Sequence, residues 1–227
     1  SDVYKRQALL SLTFFYACTT KKNTWATRTY HNTTNRFNLQ FNAKEAFKEG
    51  VDKIEESKED YTKLIPIFYY GTNENVKSIY PEMDKSIKKA STAIQRHSIF
   101  IKGREYCKWT DDNYLLIGMA NFYKRDYFEA IEDFDYVAKQ YKNQSTHFDA
   151  ILWLARSYLE LGNMEQAQLM FNIIDEDKKF PKKEKAGEIS LIQADFFMKQ
   201  KNYELCADHL SKALKFTKKR KYKIRYN

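Results

Sequence analysis

Four acidic side chains lie close together near the middle of the chain, at Glu129, Glu132, Asp133 and Asp135. Neighbouring carboxylates can bind a metal ion or act as a general acid and base. Their spacing, however, places them along one predicted helix, on the face that points to solvent. Carboxylates on such a face are usually hydrated, so we expect neither metal binding nor acid–base catalysis from them.

The other reactive residue types offer no better candidate. The three cysteines have no short spacing, so they predict neither a disulfide framework nor a metal site. The sequence contains no glycine-rich phosphate loop and no nucleophile elbow. We therefore predict no catalytic residue, no metal site, no cofactor and no enzymatic activity. The four histidines are far apart in the sequence, at His31, His97, His147 and His209.

The composition favours helices joined by short connections. The 227 residues include only 6 Gly and 3 Pro, whereas 17 Tyr and 16 Phe supply apolar packing surface. The net charge of +9 is unevenly spread, because residues 212–225 carry eight basic side chains and no acidic one. Such a tract can contact the phosphates of nucleic acid or lipid. Its aromatic residues fit a helical pattern, so we expect a solvated turn and no nucleic-acid partner.

A pattern of small residues repeats three times in the second half of the chain. In each copy a small residue is followed by another 12 positions later, and the copies are offset by 37 and 39 residues. A period of this length is typical of helical repeats. Because backbones approach closely only where side chains are small, each pair should face across two antiparallel helices. The predicted packing pairs are Gly118 with Ala130, Ala155 with Ala167, and Ala194 with Cys206.

The segment 114–134, which contains the first packing pair, resembles the tetratricopeptide repeat (TPR) family. The resemblance covers about 111–220 and departs at Asn121, where the family usually has an aromatic residue, and at Cys206, where it usually has alanine. It implies an all-α fold, a TPR-type helical-hairpin solenoid whose antiparallel helix pairs form a right-handed superhelix. We expect the repeats at 111–144, 148–181 and 187–220.

The concave surface of a solenoid can hold an extended peptide or a partner helix. On the first helix of each copy, several apolar residues lie on the side away from the hairpin partner, and we predict that they line a protein-binding groove. The alternative is that neighbouring helices cover them, above all Leu115, Leu152 and Leu191. The predicted groove residues are Leu115, Met119, Phe122, Tyr123, Leu152, Arg156, Leu159, Leu191, Asp195 and Met198.

The N-terminus combines two basic residues with an apolar run over 8–16. Nine residues span only about 14 Å as a helix, which is too short to cross a bilayer. A basic region, a short apolar core and a small residue describe a secretory signal. With Cys18 following Ala17, it resembles a bacterial lipoprotein signal, which implies that 1–17 is a signal-peptide remnant and that Cys18 carries a lipid. A buried first helix with an ordinary cysteine is the alternative.

Both ends of the chain suggest that it is part of a longer protein. Residues 1–7 lack an initiator methionine and resemble a translated sequencing-adapter artefact, so we leave them out of the fold prediction. Residues 218–227 begin a further first helix that has no partner, and no polar capping element follows. We expect an N-terminal fragment of a longer repeat protein, with 221–227 as the start of a truncated repeat.

The region before the repeats shows a weaker form of the same spacing. Thr34 and Ala46 are 12 residues apart, which predicts a degenerate TPR-like helix pair over 30–58. Residues 18–29 are predicted to be a linker after the lipid anchor. Residues 59–110 are predicted to be a connecting helical region.

Four segments, 18–25, 30–38, 41–50 and 65–68, resemble the PorW/SprE lipoproteins, which are TPR-containing components of the type IX secretion and gliding-motility machinery of Bacteroidota. The resemblance implies a scaffold that holds other subunits of that machinery. We expect an outer-membrane lipoprotein that faces the periplasm, because the residues after Cys18 are basic rather than acidic. A generic TPR adaptor of the envelope and a TPR-like glycan-binding uptake lipoprotein are alternatives, although the short inter-repeat connections argue against the second.

Overall fold

A computed structural model of the chain describes residues 19–57 and 65–216. Helices dominate both ranges. The first range contains α1 (Trp25–Thr34), a π turn (Asn35–Gln40) and α2 (Phe41–Glu56). The second contains a 3₁₀ turn (Val76–Ile79), α3 (Tyr80–His97), β1 (Phe100–Ile101), β2 (Arg104–Glu105), α4 (Thr110–Lys124), α5 (Tyr127–Gln140), α6 (Ser145–Glu160), α7 (Met164–Glu176), α8 (Ala186–Lys199) and α9 (Tyr203–Leu214).

The helices pack mainly as sequence neighbours. Three hairpins follow one another, α4 with α5, α6 with α7, and α8 with α9. The first helices of successive hairpins also contact each other, α4 with α6 and α6 with α8. The expected fold class is confirmed: the described chain is an all-α TPR-type helical solenoid. None of the helices in 19–57 and 65–216 combines the length and the apolar character needed to cross a membrane.

The turns inside the three hairpins have the same geometry. Each contains one residue with left-handed backbone torsions, Arg125 (φ 69°), Gly162 (φ 73°) and Lys201 (φ 60°). The following amide N–H donates in each case to the carbonyl five residues earlier, which is the bond pattern of a Schellman motif. Glycine adopts these torsions without strain, which suits Gly162 to the turn of the second hairpin. Asn163 and Asn202 cap the helices that follow, since each side chain accepts an amide hydrogen bond from the next helix. Asp126, which we also expected to be a cap, makes no such side-chain hydrogen bond.

The six small residues predicted to pack within hairpins are all buried. The helices α4 and α5 approach each other closely at Gly118. A Cβ atom on Gly118 would lie 2.7 Å from Cε1 of Phe134 and 3.1 Å from Cβ of Asp133. Any larger residue at this position would therefore push the two helices apart or displace the Phe134 ring.

The region before the repeats differs from the predicted helix pair over 30–58. Residues 25–56 form one continuous helical run, because the π turn Asn35–Gln40 keeps right-handed torsions between α1 and α2. Within this run, the Asn42 side-chain amide donates to the carbonyl of Asn38 at 2.7 Å. The chain makes no turn between 30 and 56, as a helix pair would require.

The 12-residue echo between Thr34 and Ala46 consequently does not mark a hairpin. The π turn instead coincides with a buried asparagine, Asn35, whose side chain has two hydrogen-bond partners. The Asn35 side chain donates to Sγ of Cys107 at 3.4 Å and accepts from the side-chain amide of Asn113 at 3.1 Å. The turn thus satisfies a polar group that would otherwise be buried without a partner.

The pair that precedes the repeats is instead α2 with α3, and α3 also packs on α4. The described part of the predicted connecting region 59–110, residues 65–110, is only partly helical: it contains α3, the 3₁₀ turn and the β1–β2 hairpin. α1 contacts α3 through two buried histidines, and Nδ1 of His31 lies 2.9 Å from Nδ1 of His97.

Candidate functional site

An irregular segment of the chain, residues 65–71, lies across the first helices of all three hairpins. We call it the groove segment. It adopts neither helix nor strand, and its successive side chains contact α8, then α6, then α4. It therefore runs in the direction opposite to the order of the repeats, over the surface where we predicted a partner groove.

Ile67 anchors the segment at the third hairpin. Only 3 % of this residue is exposed, and it belongs to an apolar cluster with Ala194 and Cys206. Two predicted groove residues, Leu191 and Met198, pack against the same cluster. Burial of an isoleucine side chain contributes on the order of 2 kcal/mol. The cluster therefore fixes this end of the segment on α8.

Phe68 anchors the segment at the second hairpin. The guanidinium carbon of Arg156 lies 4.3 Å from the centre of the Phe68 ring and 4.7 Å from the ring of Trp153. One guanidinium nitrogen of Arg156 also lies 3.0 Å from a Glu188 carboxylate oxygen. A desolvated cation–π contact of this kind contributes about 2 kcal/mol.

The groups around Arg156 stabilise the charged form of its guanidinium. Burial lowers the pKa of this guanidinium, but the nearby Tyr70 hydroxyl and the Glu188 carboxylate outweigh that effect, so the pKa is raised. Burial also raises the pKa of Tyr70 well above its usual value. The site thus keeps a cationic arginine beside a neutral tyrosine.

Tyr70 anchors the segment at the first hairpin. The centre of its ring lies 4.8 Å from that of Phe122 and 5.6 Å from that of Tyr123, both in edge-to-face geometry. The segment then ends at Gly71, whose carbonyl accepts a hydrogen bond from Nη2 of Arg125 at 2.8 Å. Arg125 is the left-handed residue of the first hairpin turn, so the turn geometry itself aims this side chain at the segment.

The structure brings five of the ten predicted groove residues to the groove segment: Phe122, Tyr123, Arg156, Leu191 and Met198. Four others, Leu115, Met119, Leu152 and Leu159, lie in or against the main apolar core. Asp195 is 7 % exposed, and burial raises its pKa to about 6. The surface predicted to be open is therefore covered by the chain itself.

Sequence reasoning did not place the groove segment or Arg125 at this surface. The segment has a visible signal, because Ile65, Ile67, Phe68, Tyr69 and Tyr70 are apolar or aromatic and Pro66 disfavours a helix. That signal predicts burial but does not say against which helices. No local sequence pattern predicts the contact of Arg125 with the segment, since that contact depends on the backbone torsions of the turn.

No group of three or more His, Cys, Asp or Glu in the described ranges is placed to hold a metal ion. Cys107 and Cys206 are buried free thiols. Cys18, the predicted lipid attachment site, lies outside the described residues, as do the predicted signal remnant and residues 217–227.

A family model for the tetratricopeptide repeat matches residues 149–176. This range covers most of α6 and all of α7, which form the second hairpin. The match supports a TPR-repeat protein, and TPR repeats generally mediate binding to other proteins. Their helical fold is typically a non-catalytic interaction scaffold. No curated protein matches the chain.

Proposed function

We propose that this protein is a non-enzymatic scaffold that holds subunits of a type IX secretion and gliding-motility complex. One observation carries the scaffold role: the groove segment is a non-helical stretch of chain held on the first helices by spaced side-chain anchors. Ile67, Phe68 and Tyr70 occupy successive hairpins in this way. A repeat array that holds its own chain in this manner has the surface chemistry to hold a peptide from a partner.

The link to the secretion machinery comes from sequence resemblance to PorW/SprE lipoproteins. Segment 65–68 is one of the four that carry this resemblance, and it is the part of the chain seated in the groove. Part of the groove segment therefore lies in the sequence that resembles the PorW/SprE lipoproteins. We further propose a lipid on Cys18 and a periplasm-facing position at the outer membrane, on the sequence pattern around that cysteine.

Affinity purification of the full-length protein from envelope fractions tests the function. We expect translocon or motor subunits to co-purify. Co-purification of unrelated envelope proteins alone would favour a generic adaptor, and retained oligosaccharide would favour a glycan-uptake lipoprotein. A photo-crosslinking residue at Met198, with one at the exposed Leu169 as a control, tests whether partners reach the groove.

The lipid anchor needs a separate test. We expect cells to incorporate a labelled fatty acid into the wild-type protein and not into Cys18→Ser. Equal labelling of both proteins would disprove the anchor and leave the scaffold proposal to the purification experiment.

A further inference from the structure

A second recess, which the sequence did not predict, opens on the other side of the first hairpin. It has a volume of about 1350 Å³ and lies between the first helical run, the β1–β2 hairpin and the α5–α6 connection. We call it the basic cleft. Its size exceeds that of most small-molecule pockets, which are about 300–1000 Å³, so a segment of a larger partner can enter it.

One face of the first helical run supplies the long wall of the cleft. Trp25, Arg28, Asn32 and Arg36 recur every three to four residues and therefore share that face. Trp25 is 76 % exposed, and Phe37 at the other end of the wall is 69 % exposed. Large rings with this exposure offer unused contact area, and aromatic residues together with arginine are enriched in protein interfaces.

Four cations line the cleft: Arg28, Arg36, Arg104 and Lys108. Among the described residues, no carboxylate lies within ion-pair distance of the side chains of Arg28, Arg36, Arg104 or Lys108. Arg36 instead lies 4.9 Å from the centre of the Trp109 ring. Stacking of this kind orients the planar guanidinium and leaves its N–H groups available to an acceptor.

The acidic side chains of the cleft already have partners within the chain. Glu105 accepts three backbone N–H groups through Oε1, from Ile99, Tyr106 and Cys107, at 2.7 to 2.9 Å. Asp111 accepts the Thr146 hydroxyl at 2.7 Å. These carboxylates are therefore engaged in local hydrogen bonds and are not paired with the cations named above.

The α5–α6 connection forms the third wall, and the side chains that it contributes to the cleft, including the Tyr141 ring, carry no charge. It presents Gln140, Asn143, Gln144 and Ser145 to the cleft. Amide and hydroxyl groups can both donate to and accept from a peptide backbone. The cleft thus combines a cationic wall, exposed rings and neutral hydrogen-bonding groups.

We infer that the basic cleft binds a carboxylate-rich segment of a partner protein. Arginine forks match carboxylates in bidentate geometry, and the exposed rings at Trp25 and Phe37 accommodate apolar side chains between the acids. The four cations outnumber the three acidic side chains that line the cleft, Glu105, Asp111 and Asp112. A peptide fits better than nucleic acid, because the amide and hydroxyl groups of the third wall can pair with a peptide backbone. A flat lipid surface does not enter a recess. This surface is separate from the groove, so the inference goes beyond the proposed function.

Fluorescence anisotropy tests the inference with a fluorescein-labelled nonapeptide of three Glu-Glu-Phe repeats. We expect binding that weakens as salt rises, because the contacts are partly exposed. Arg28→Glu with Arg104→Glu should weaken binding at least tenfold, and both side chains are exposed, so the fold should be kept. Lys48→Glu with Lys88→Glu makes the same change in net charge outside the cleft and should leave binding within twofold.

Several results would overturn the inference. Equal binding of a Gln-Gln-Phe nonapeptide would show that charge is not recognised. Equal losses in the two charge-reversed pairs would show a non-specific effect of net charge. Tighter binding of a single-stranded oligonucleotide or of phosphatidylglycerol vesicles through Arg28 and Arg104 would assign the cleft to another class of ligand. Circular dichroism checks folding, and Lys108→Glu replaces the Arg28 and Arg104 pair if that variant loses helicity.

Discussion

The guanidinium carbon of Arg156 lies 4.3 Å from the centre of the Phe68 ring, which joins the second hairpin to a segment 88 residues earlier in the chain. The Arg156 side chain is only 13 % exposed, and Glu188 balances its charge. Reversing the charge at Arg156 would place two carboxylates together at a partly buried position. Such a variant would be destabilised, so it cannot serve as a clean test of partner binding at the groove.

Removing the Phe68 ring should loosen the groove segment. We expect Phe68→Ala to lower the free energy of unfolding by about 2–3 kcal/mol, because it deletes an apolar anchor and a cation–π contact. Urea denaturation measures the change. Phe128→Ala is the matched control, since Phe128 is 72 % exposed, and it should change the free energy by less than about 0.5 kcal/mol. Similar losses in both variants would contradict a specific role for Phe68.

The close approach of α4 and α5 predicts that adding a single methyl group at Gly118 lowers the free energy of unfolding. Gly118→Ala should destabilise the protein by about 1–3 kcal/mol, although alanine is the better helix former, because its Cβ would collide with Phe134. In a Phe134→Leu background the collision is relieved, so the added cost of Gly118→Ala should shrink. Thermal denaturation of the four proteins in this double-mutant cycle measures the coupling, and additive effects would rule out the collision.

The buried histidine pair predicts acid sensitivity. Burial lowers the pKa of His31 below the usual 6.5 of histidine and lowers that of His97 to about 4. The unfolded chain therefore binds more protons than the folded one below pH 6.5. Stability should fall as the pH drops from 6.5 to 4, by about 3 kcal/mol for His97. His97→Gln should lose much less stability over this range, and parallel urea profiles of the two proteins would contradict the prediction.

Asp195 predicts a pH effect of the opposite sign. Burial raises its pKa to about 6 from the usual 3.8 of aspartate, so the folded protein binds an extra proton between these two pH values. The ionised form therefore costs stability above pH 6. We expect Asp195→Asn to be more stable than wild type at pH 8 by about 2 kcal/mol, and to lose that advantage at pH 4. Denaturation at both pH values measures this, and an advantage that does not change with pH would contradict it.

The fold could be predicted where the sequence repeats the same short pattern of small residues. The small residues from Gly118 to Cys206 recur in step because every hairpin needs the same close approach, so the fold class followed from spacing. Glycine tolerates the left-handed torsions that Gly162 adopts, whereas the residue types of Arg125 and Lys201 do not predict the same torsions. Local spacing was misleading at Thr34 and Ala46. Their 12-residue separation matches that of the hairpins, but the helix continues past the buried Asn35.

The candidate sites were predictable only in part, because they depend on contacts between distant parts of the chain. The pattern on the first helices correctly marked apolar side chains such as Leu191, but no local rule brings Ile67 onto them. The basic cleft joins residues from 25–37, 103–112 and 140–145. Each stretch alone looks like ordinary polar surface.

The groove segment also has a consequence for how the protein folds. In a simple solenoid each repeat contacts only its neighbours, so the array can fray from its ends and fold piecewise. Here Ile67 packs on the last described hairpin and Gly71 is bound at the first, so one stretch of chain spans the array. Long-range contacts of this kind slow folding and couple distant elements. The three hairpins should therefore unfold together, as a single cooperative unit.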